Sequence, residues 1–278
     1  MIRCLVTGSS SDIGIFVVKS LREHGYFIKT AGRRNCDVNF DLSQPLDKSK
    51  FGVFEFLIHI AWQRSRNTNH DFKVNLEGSR AILAVARERK AVPILISTDS
   101  ADEPTSSYGC AKRILEDEFI QAGGYVLRCG LIWGGGVSPI LSSISKLSKL
   151  PLFCFHLYPE PFLRSTSQRE IITALERILE TPILVSKVLS VGSSFKFPLS
   201  YLSHLLRKRD CLAHIPIPTL FIYWISKFFR TVGVFKSVDP DSFKSFIKSP
   251  STTDHATQNF SEGTDSKEFF SWVVENLI

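Results

Sequence analysis

Tyr108 and Lys112 are the residues whose types and spacing point most directly to chemistry. They stand four residues apart in "SSYGCAK", so a helix that begins near Tyr108 carries both on one face. A phenol with an ordinary pKa of about 10 is a poor acid or base at neutral pH, and an adjacent ammonium group favours the phenolate. The pair therefore indicates proton transfer by Tyr108, assisted by the charge of Lys112.

A hydroxyl group is the third member that this chemistry needs. The apolar run 94–97 predicts a strand, and Thr98 follows it directly. We expect Thr98 to hydrogen-bond the substrate oxygen and to hold the Tyr108 hydroxyl in line. Ser97 is the alternative for the same role.

A glycine-containing turn near the N-terminus indicates a dinucleotide site. An apolar strand over 2–6 leads into "TGSSSDIG", and a helical pattern follows over 13–23. Gly8 would allow the tight bend, and Gly14 would let the helix pack close to the strand. Such turns also carry a middle glycine that lets the backbone approach the pyrophosphate, and this chain lacks it. We expect a working cofactor site, with a degenerate turn as the alternative.

Ser11 and Asp12 occupy the part of the turn where the middle glycine is missing. Ser11 keeps a small side chain there and offers a hydroxyl group. A carboxylate near a pyrophosphate costs free energy, so we expect Asp12 to point away and to cap the start of the helix.

The order of strands and helices predicts the fold class, an α/β Rossmann-type doubly wound parallel sheet. The predicted strands cover 2–6, 26–31, 54–60, 94–97, 125–127 and 188–191, and the predicted helices cover 13–23, 69–89, 111–121, 168–179 and 268–277. We expect residues 1–135 to form the dinucleotide-binding core, with a late strand near 188–192 returning to it. Residues 136–187 and 193–278 would form a smaller, mostly helical C-terminal substrate lobe.

Composition limits the classes of partner and site. The chain has 278 residues, is 44% hydrophobic and carries a net charge of +7. It has no long run of like charges, so we expect no nucleic-acid partner. The six cysteines are scattered without a Cys-x-x-Cys pair, which argues against a metal site and for a reducing compartment. No signal peptide is evident, so we expect a cytoplasmic protein.

Two interpretations are open for one apolar stretch, "IPIPTLFIYWISKFFRTVGVF" (215–235). Its most apolar part, 215–225, is shorter than the about 20 residues that span a bilayer. We expect a helix of the substrate lobe that packs on the core. The alternative is peripheral membrane contact through 215–236, with Lys227, Arg230 and Lys236 near anionic lipid, as would suit an enzyme of surface-polysaccharide synthesis.

Several motifs, in this order, resemble the extended branch of the short-chain dehydrogenase/reductase superfamily, whose NAD-dependent epimerases, dehydratases and reductases modify nucleotide sugars. Besides the turn and Tyr-x-x-x-Lys, the matching segments are "FLIHIAW" (56–62), "HDFKVNLEGSRAILAVARE" (70–88), "ILISTDSA" (94–101), "YVLRCGLIWGGG" (125–136) and "NFSEGTDSKEFFSWVVEN" (259–276). The simpler branch of the superfamily would show Asn-Ala-Gly where this chain has His59-Ile60-Ala61. The resemblance spans nearly the whole chain.

The resemblance implies roles for individual residues. Tyr108, Lys112 and Thr98 would be catalytic, Lys112 would also hold the nicotinamide ribose, and Asp41 would accept a hydrogen bond from the adenine amine. The substrate would be a nucleotide sugar, and a homodimer is the expected assembly. The implied cofactor-binding residues are Gly8, Ser11, Asp12, Ile13, Gly14, Arg33, Asp41, Leu42, Ile60, Ala61, Tyr108 and Lys112.

The second predicted strand ends in "TAGRRN", which bears on the choice of cofactor. NAD enzymes usually carry an acidic residue there that binds the ribose 2′-hydroxyl. This chain has Arg33 and Arg34 instead, and the planar guanidinium group suits a 2′-phosphate. We therefore favour NADP, with NAD as the alternative.

The type of reaction stays open between epimerase and ketoreductase. Ser97-Thr98-Asp99 resembles the nucleotide-sugar dehydratases, in which Thr-Asp-Glu carries out water loss, but Ser100 replaces the glutamate here. Dehydration therefore ranks below the other two reactions. A hypothesis of a different class is a non-catalytic NADP-binding scaffold, which the altered turn would suit.

Two further departures from the family pattern weaken any assignment of a particular sugar. Leu131 replaces a substrate-binding asparagine, and Arg169 and Glu170 replace the usual acidic pair.

Overall fold

The structure is a computed structural model, and it describes residues 1–65, 68–136, 139–148, 153–181, 186–207, 213–218, 221, 257–260 and 266–277. The strands are β1 (Arg3–Thr7), β2 (Phe27–Gly32), β3 (Val38–Asn39), β4 (Phe56–His59), β5 (Val92–Thr98), β6 (Tyr125–Cys129), β7 (Leu131–Trp133), β8 (Phe153–Tyr158), β9 (Phe162–Ser167), β10 (Val188–Val191), β11 (Lys196–Pro198), β12 (Ala213–Pro218) and β13 (Thr257–Phe260). The helices are α1 (Asp12–Glu23), α2 (Thr68–Glu88), α3 (Ser107–Gln121), α4 (Pro139–Ser148), α5 (Gln168–Glu180), α6 (Leu199–Leu205) and α7 (Ser266–Leu277).

Within these residues, eight parallel strands form the central sheet in the order β3-β2-β1-β4-β5-β6-β10-β13. The strand order reverses between β1 and β4, which makes a crevice at their carboxyl ends, where α/β proteins bind ligands. Thr7 at the end of β1 lies opposite Ala31 of β2 and His59 of β4, so these three strands end together. Thr98 of β5 lies opposite Cys129 of β6 at the same edge.

Helices cover both faces of the sheet, as the alternating pattern predicts. On one face, buried side chains of α1 and α5 pack on the strands, with Leu21 and Leu175 fully buried. On the other face, α2 and α3 do the same through Ile82 and Phe119. The predicted doubly wound α/β fold is therefore confirmed.

A third apolar cluster lies in the C-terminal part of the chain and joins α4, α6 and α7. Its buried members are Trp133, Leu141, Phe197, Leu202, Leu206, Phe269 and Val273. The stacked rings of Phe197 and Phe269, 5.2 Å apart, connect β11 to the last helix, α7.

The prediction for the C-terminal part was wrong in its strands. Where we expected a mostly helical lobe, the structure has the strands β8, β9, β12 and β13. β9 pairs with β7 and β11, β12 pairs with β8, and β13 extends the central sheet beside β10. These partners are distant in sequence, so no local pattern predicts the pairing. The prolines Pro216 and Pro218 are tolerated in β12 because its sheet has only two strands among the described residues.

The apolar stretch 215–236 lies only partly within the described residues. Residues 215–218 belong to β12, so the expected helix does not begin there. Apart from residue 221, the remainder of the stretch lies outside the described residues, and its peripheral membrane contact stays a prediction. Among the helices that the structure describes, none is both long and apolar enough to cross a bilayer.

Candidate functional site

The turn after β1 has the conformation that its glycines permit. Gly8 has φ +71°, and a Cβ atom there would lie 2.6 Å from the backbone nitrogen of Ala61. A Cβ atom on Gly14 would lie 2.2 Å from the Gly8 carbonyl oxygen. Only glycine fits at either position, because both side-chain directions meet backbone atoms. The turn therefore packs directly on the end of β4, beside the buried residues Ile60 and Ala61.

Ser11, and not Asp12, caps α1, so the expected capping role of Asp12 was wrong. The Ser11 hydroxyl accepts from the Gly14 backbone N–H at 3.1 Å and donates to the Gly8 carbonyl oxygen at 2.8 Å. A hydroxyl group can do both at once, which a carboxylate cannot. Asp12 is instead the first residue of the helix, exposed, with its carboxyl group about 3.4 Å from where a Gly136 side chain would begin.

The turn fits a dinucleotide in its main features. The glycines allow close approach, and Ile13 lies in the first turn of a helix whose N-terminal N–H groups favour phosphate. The crevice lies at the switch point of the sheet. Asp12 is the one acidic group of this turn that works against a bound pyrophosphate.

Residues predicted to bind the adenosine half lie on the neighbouring loops. Arg33 is exposed directly after β2, and Asp41 follows β3. The Asp41 carboxylate accepts from the Ser43 backbone N–H at 2.8 Å and from its hydroxyl at 2.7 Å. These bonds, together with the nearby charge of Arg33, hold the pKa of Asp41 below its usual value. Leu42 is buried against Gly78 of α2, where a Cβ atom would lie 2.5 Å from the Leu42 carbonyl oxygen.

His59 joins three elements below the crevice. Its Nδ1 lies 2.7 Å from the Thr7 hydroxyl and its Nε2 lies 2.8 Å from the Ser79 hydroxyl. Complete burial, together with the charge of Lys112, lowers the pKa of His59 to about 3. The imidazole is therefore neutral at physiological pH and serves to hold β1, β4 and α2 together.

Tyr108 lies in the first turn of α3, as the spacing predicts. Ser106 caps this helix, with its hydroxyl accepting from the Gly109 backbone N–H at 3.0 Å. The Tyr108 hydroxyl is hydrogen-bonded to the side chains of Thr98 and Arg64. Burial raises the pKa of Tyr108, whereas the charge of Arg64 and these two hydrogen bonds lower it.

Lys112 lies one turn further along α3 and is 3% exposed. Its Nζ donates to the Ile96 carbonyl oxygen at 2.8 Å and lies 4.4 Å from the centre of the Trp62 ring. Burial lowers the pKa of Lys112 to about 7, and the Glu116 carboxylate opposes this shift. The direct contacts of the Lys112 amine are thus with the Ile96 carbonyl oxygen and the Trp62 ring, and not with Tyr108.

Ser97 takes part in a buried ionic network away from Tyr108. Its hydroxyl donates to Glu116 at 2.5 Å, and Glu116 accepts three further bonds from Arg128, the shortest at 2.7 Å. Arg128 also donates to Asp102 at 2.5 Å. Of the two hydroxyl groups at the end of β5, Thr98 is the one in contact with Tyr108.

The remaining acids of the predicted site are held by structural partners. Asp99 forms two hydrogen bonds with Arg164 of β9, at 3.0 and 2.5 Å. Glu170 is buried and forms a capping box with Ser167 at the start of α5, while Arg169 is exposed. The side chains that hydrogen-bond to the Tyr108 hydroxyl are those of Thr98 and Arg64. In the part of the chain that the structure describes, neither Asp99 nor Glu170 is among them.

Sequence reasoning missed the segment 62–65, which brings Trp62 and Arg64 to Tyr108. Asn75 of α2 accepts from the Gln63 backbone N–H at 2.7 Å and donates to its carbonyl oxygen at 2.9 Å. Asp71 accepts from the backbone N–H of Ser65. The position of the segment in the sequence could have indicated its role, because it directly follows β4 and so lies at the crevice edge of the sheet.

Comparison with known proteins gives two kinds of similarity in sequence. A family model described as "Polysaccharide biosynthesis protein" matches residues 60–128. The ceramide reductase of Caulobacter vibrioides is 27% identical over 240 residues, which cover 77% of this chain and 73% of that protein.

Solved structures resemble the whole chain. The structure of MoeE5 in complex with UDP-glucose and NAD matches with a TM-score of 0.70 at 15% identity, covering 98% of this chain and 97% of that one. The UDP-glucose 4-epimerase of Thermus thermophilus, in complex with NAD, matches with a TM-score of 0.66 at 17% identity and covers 99% of both chains. At 15% and 17% identity these structures show that the chain shares their fold, whose parallel sheet it reproduces.

Proposed function

We propose that this protein is an NAD(P)-dependent oxidoreductase or epimerase that acts on a nucleoside-diphosphate sugar, with Tyr108 as acid and base. The contact of the Tyr108 hydroxyl with Thr98, at the carboxyl edge of a sheet that also carries the Gly8 turn, supports this proposal best. The bound nicotinamide would supply or accept a hydride at a carbon of the substrate.

The proton chemistry belongs to residues of this chain. As a ketone becomes an alcohol, the Tyr108 hydroxyl gives its proton to the substrate oxygen, and in the reverse direction the phenolate takes it back. Thr98 donates to the same oxygen and holds it in line with Tyr108. Lys112 would leave the Ile96 carbonyl oxygen to hold the nicotinamide ribose.

Two observations favour a reductase over the other reactions of the family. The exposed Arg33 suits NADP, which exchanges after each turnover, whereas epimerases of this kind mostly retain NAD. The ion pair between Asp99 and Arg164 occupies the acid that a dehydratase would use. NAD and epimerisation remain the alternatives.

A second candidate function is reduction of a ketone on a lipid substrate. The similarity to the Caulobacter vibrioides ceramide reductase, over 77% of this chain, favours it. The same Tyr108 chemistry applies, since only the group that carries the ketone differs. A non-catalytic NADP-binding scaffold is the hypothesis of a different class.

We infer that residues 136–187 and 193–278 bind the substrate, and that the core of residues 1–135, with the late strand near 188–192, binds the cofactor. A homodimer, a cytoplasmic location and peripheral membrane contact stay predictions from the sequence.

The test is turnover with NADPH and with NADH on UDP-, GDP- and dTDP-linked sugars, 4-keto sugars and keto lipids. We expect reduction or interconversion of one substrate class. Tight NADP binding without turnover of any of them would favour the scaffold.

Arg33→Ala is expected to weaken NADP binding by roughly 1–3 kcal/mol, the scale of a charge-assisted contact, and to leave NAD binding nearly unchanged. The reason is that only NADP carries the 2′-phosphate that Arg33 would bind. Titration of both cofactors against Arg33→Ala and Arg34→Ala measures this. Equal losses for NADP and NAD, or a larger NADP loss in Arg34→Ala, would reject the assignment.

Thr98→Val is expected to lower the turnover rate by roughly 10- to 100-fold, because it removes one hydrogen bond to the reacting oxygen but keeps the shape. Cofactor affinity should stay the same. Steady-state kinetics with a cofactor titration measure both, and Thr173→Val on the distant helix α5 is the matched control. Loss of cofactor affinity in parallel with rate would contradict the role of Thr98.

A further inference from the structure

We propose that Arg64 is a further catalytic residue of this site, which stabilises the negative charge that forms on the Tyr108 oxygen when the proton leaves. The proposal rests on the proposed function, because it takes Tyr108 as the acid and base. Neither the Tyr-x-x-x-Lys motif nor the glycine turn includes Arg64.

The position of Arg64 brings a full positive charge to the phenol. Its guanidinium carbon lies 5.5 Å from the centre of the Tyr108 ring, and its side chain is hydrogen-bonded to the Tyr108 hydroxyl. Among the residues that the structure describes, Arg64 forms no ion pair with a carboxylate. Its charge is therefore not neutralised by a neighbouring acid.

Lys112, the other cation, is directed elsewhere. Its ammonium group is bonded to the Ile96 carbonyl oxygen and lies over the Trp62 ring. The Trp62 ring also meets the Tyr108 ring edge to face, with centres 5.1 Å apart. Arg64 is thus the cation that contacts the phenol oxygen, while Lys112 contacts Trp62.

The backbone on both sides of Arg64 is fastened to α2. Asn75 holds the preceding residue, Gln63, through two hydrogen bonds, and Asp71 holds the following residue, Ser65. Both acceptors are buried, with Asn75 1% exposed and Asp71 9% exposed. The segment therefore presents Arg64 to Tyr108 from a fixed support, as electrostatic catalysis requires.

The charge balance explains why a second cation matters. When the Tyr108 hydroxyl gives its proton to the substrate oxygen, a phenolate remains, and burial opposes that charge. The groups that act on the Tyr108 hydroxyl are Arg64, Thr98 on β5 and Cys129 on β6, whereas Lys112, one turn along α3, contacts Trp62 and Ile96. Thr98 carries no charge, and burial raises the pKa of Cys129 to about 12, so its thiol is neutral as well.

A titration of the phenol tests the proposal without any substrate. The ultraviolet absorbance of tyrosinate is followed with pH in the wild type and in Arg64→Gln. The same titration is made with Tyr108→Phe in each of these two proteins, and the difference isolates Tyr108 from the other tyrosines. We expect Arg64→Gln to raise the pKa of Tyr108 by about one unit or more, because an adjacent opposite charge shifts a pKa by about 1–3 units. Arg64→Lys should retain most of the effect, and Lys73→Gln, on the exposed side of α2, should have none.

Kinetics supply the second measurement. In the oxidative direction Tyr108 must be ionised, so kcat rises with pH as Tyr108 loses its proton. In Arg64→Gln we expect this rise to move to higher pH by the same number of pH units as the pKa of Tyr108. The cofactor affinity should not change. An unshifted Tyr108 titration in Arg64→Gln, with a shift in Lys112→Gln, would assign the stabilising charge to Lys112 and overturn the proposal. An equal loss of cofactor affinity and rate would overturn it too, because Arg64 would then be a cofactor ligand. Full turnover by Tyr108→Phe would instead reject the proposed function, whatever the titration gave.

Discussion

Tyr108→Phe is expected to lower the turnover rate at least ~10²-fold, the usual loss when a positioned proton donor is removed. The substitution deletes only the hydroxyl group that contacts Thr98 and Arg64. The ring stays, so its edge-to-face packing against Trp62 is retained and the fold should not change. Steady-state kinetics on the substrate found in the panel, with circular dichroism and a cofactor titration, measure the three quantities.

Tyr26→Phe is the matched control for this experiment. Tyr26 directly precedes β2, at the amino end of the sheet and opposite the crevice, and its hydroxyl donates to Glu180 at 3.4 Å. We expect wild-type rates for it. Wild-type turnover in Tyr108→Phe would show that another group transfers the proton, whatever the substrate proves to be.

Arg128→Met is expected to reduce the free energy of unfolding by about 3–5 kcal/mol, the range for breaking one partner of a buried ion pair. Arg128 and Glu116 are 4% and 1% exposed, so the variant leaves the Glu116 carboxylate buried beside Ser97 without its cation. It also releases Asp102 in the segment between Thr98 and Tyr108. Urea unfolding followed by tryptophan fluorescence measures the change.

Two comparisons sharpen this prediction. Arg80→Met breaks the ion pair with Glu118 on the surface of α3, where the Arg80 side chain is 49% exposed, and should cost less than about 1 kcal/mol. The double variant Arg128→Met, Glu116→Met should regain much of the loss, since no unpaired charge is left inside. Equal costs for Arg128→Met and Arg80→Met would contradict the account of the buried network.

The fold class and the proposed catalytic pair could be read from the sequence because their signals are local. Apolar strands and amphipathic helices repeat over short windows, and the four-residue spacing of Tyr108 and Lys112 is a property of a single helix. Gly8 and Gly14 also mark local needs, a left-handed turn and a close backbone contact. These predictions needed no knowledge of what lies across the sheet.

The choices between neighbouring residues were decided by tertiary structure. Ser97 and Thr98 are adjacent hydroxyl residues, but Glu116 on α3 draws Ser97 into the buried network and leaves Thr98 to Tyr108. Asp99 has the sequence context of a catalytic acid, yet Arg164, which comes from a strand that the sequence did not predict, pairs with it.

The same reason explains why the second cation was missed. Arg64 follows β4 in a segment without periodicity, and it reaches Tyr108 only because Asn75 and Asp71 of α2 hold the residues on either side of it. Those bonds, like the pairing of β9, β12 and β13, join positions whose proximity depends on the assembled sheet. The sequence by itself determined the strands and helices of the dinucleotide-binding core and the helix that carries the proposed acid and base. Long-range packing alone decided which charges surround the acid and base, because the energy of a buried charge depends on neighbours from distant parts of the chain.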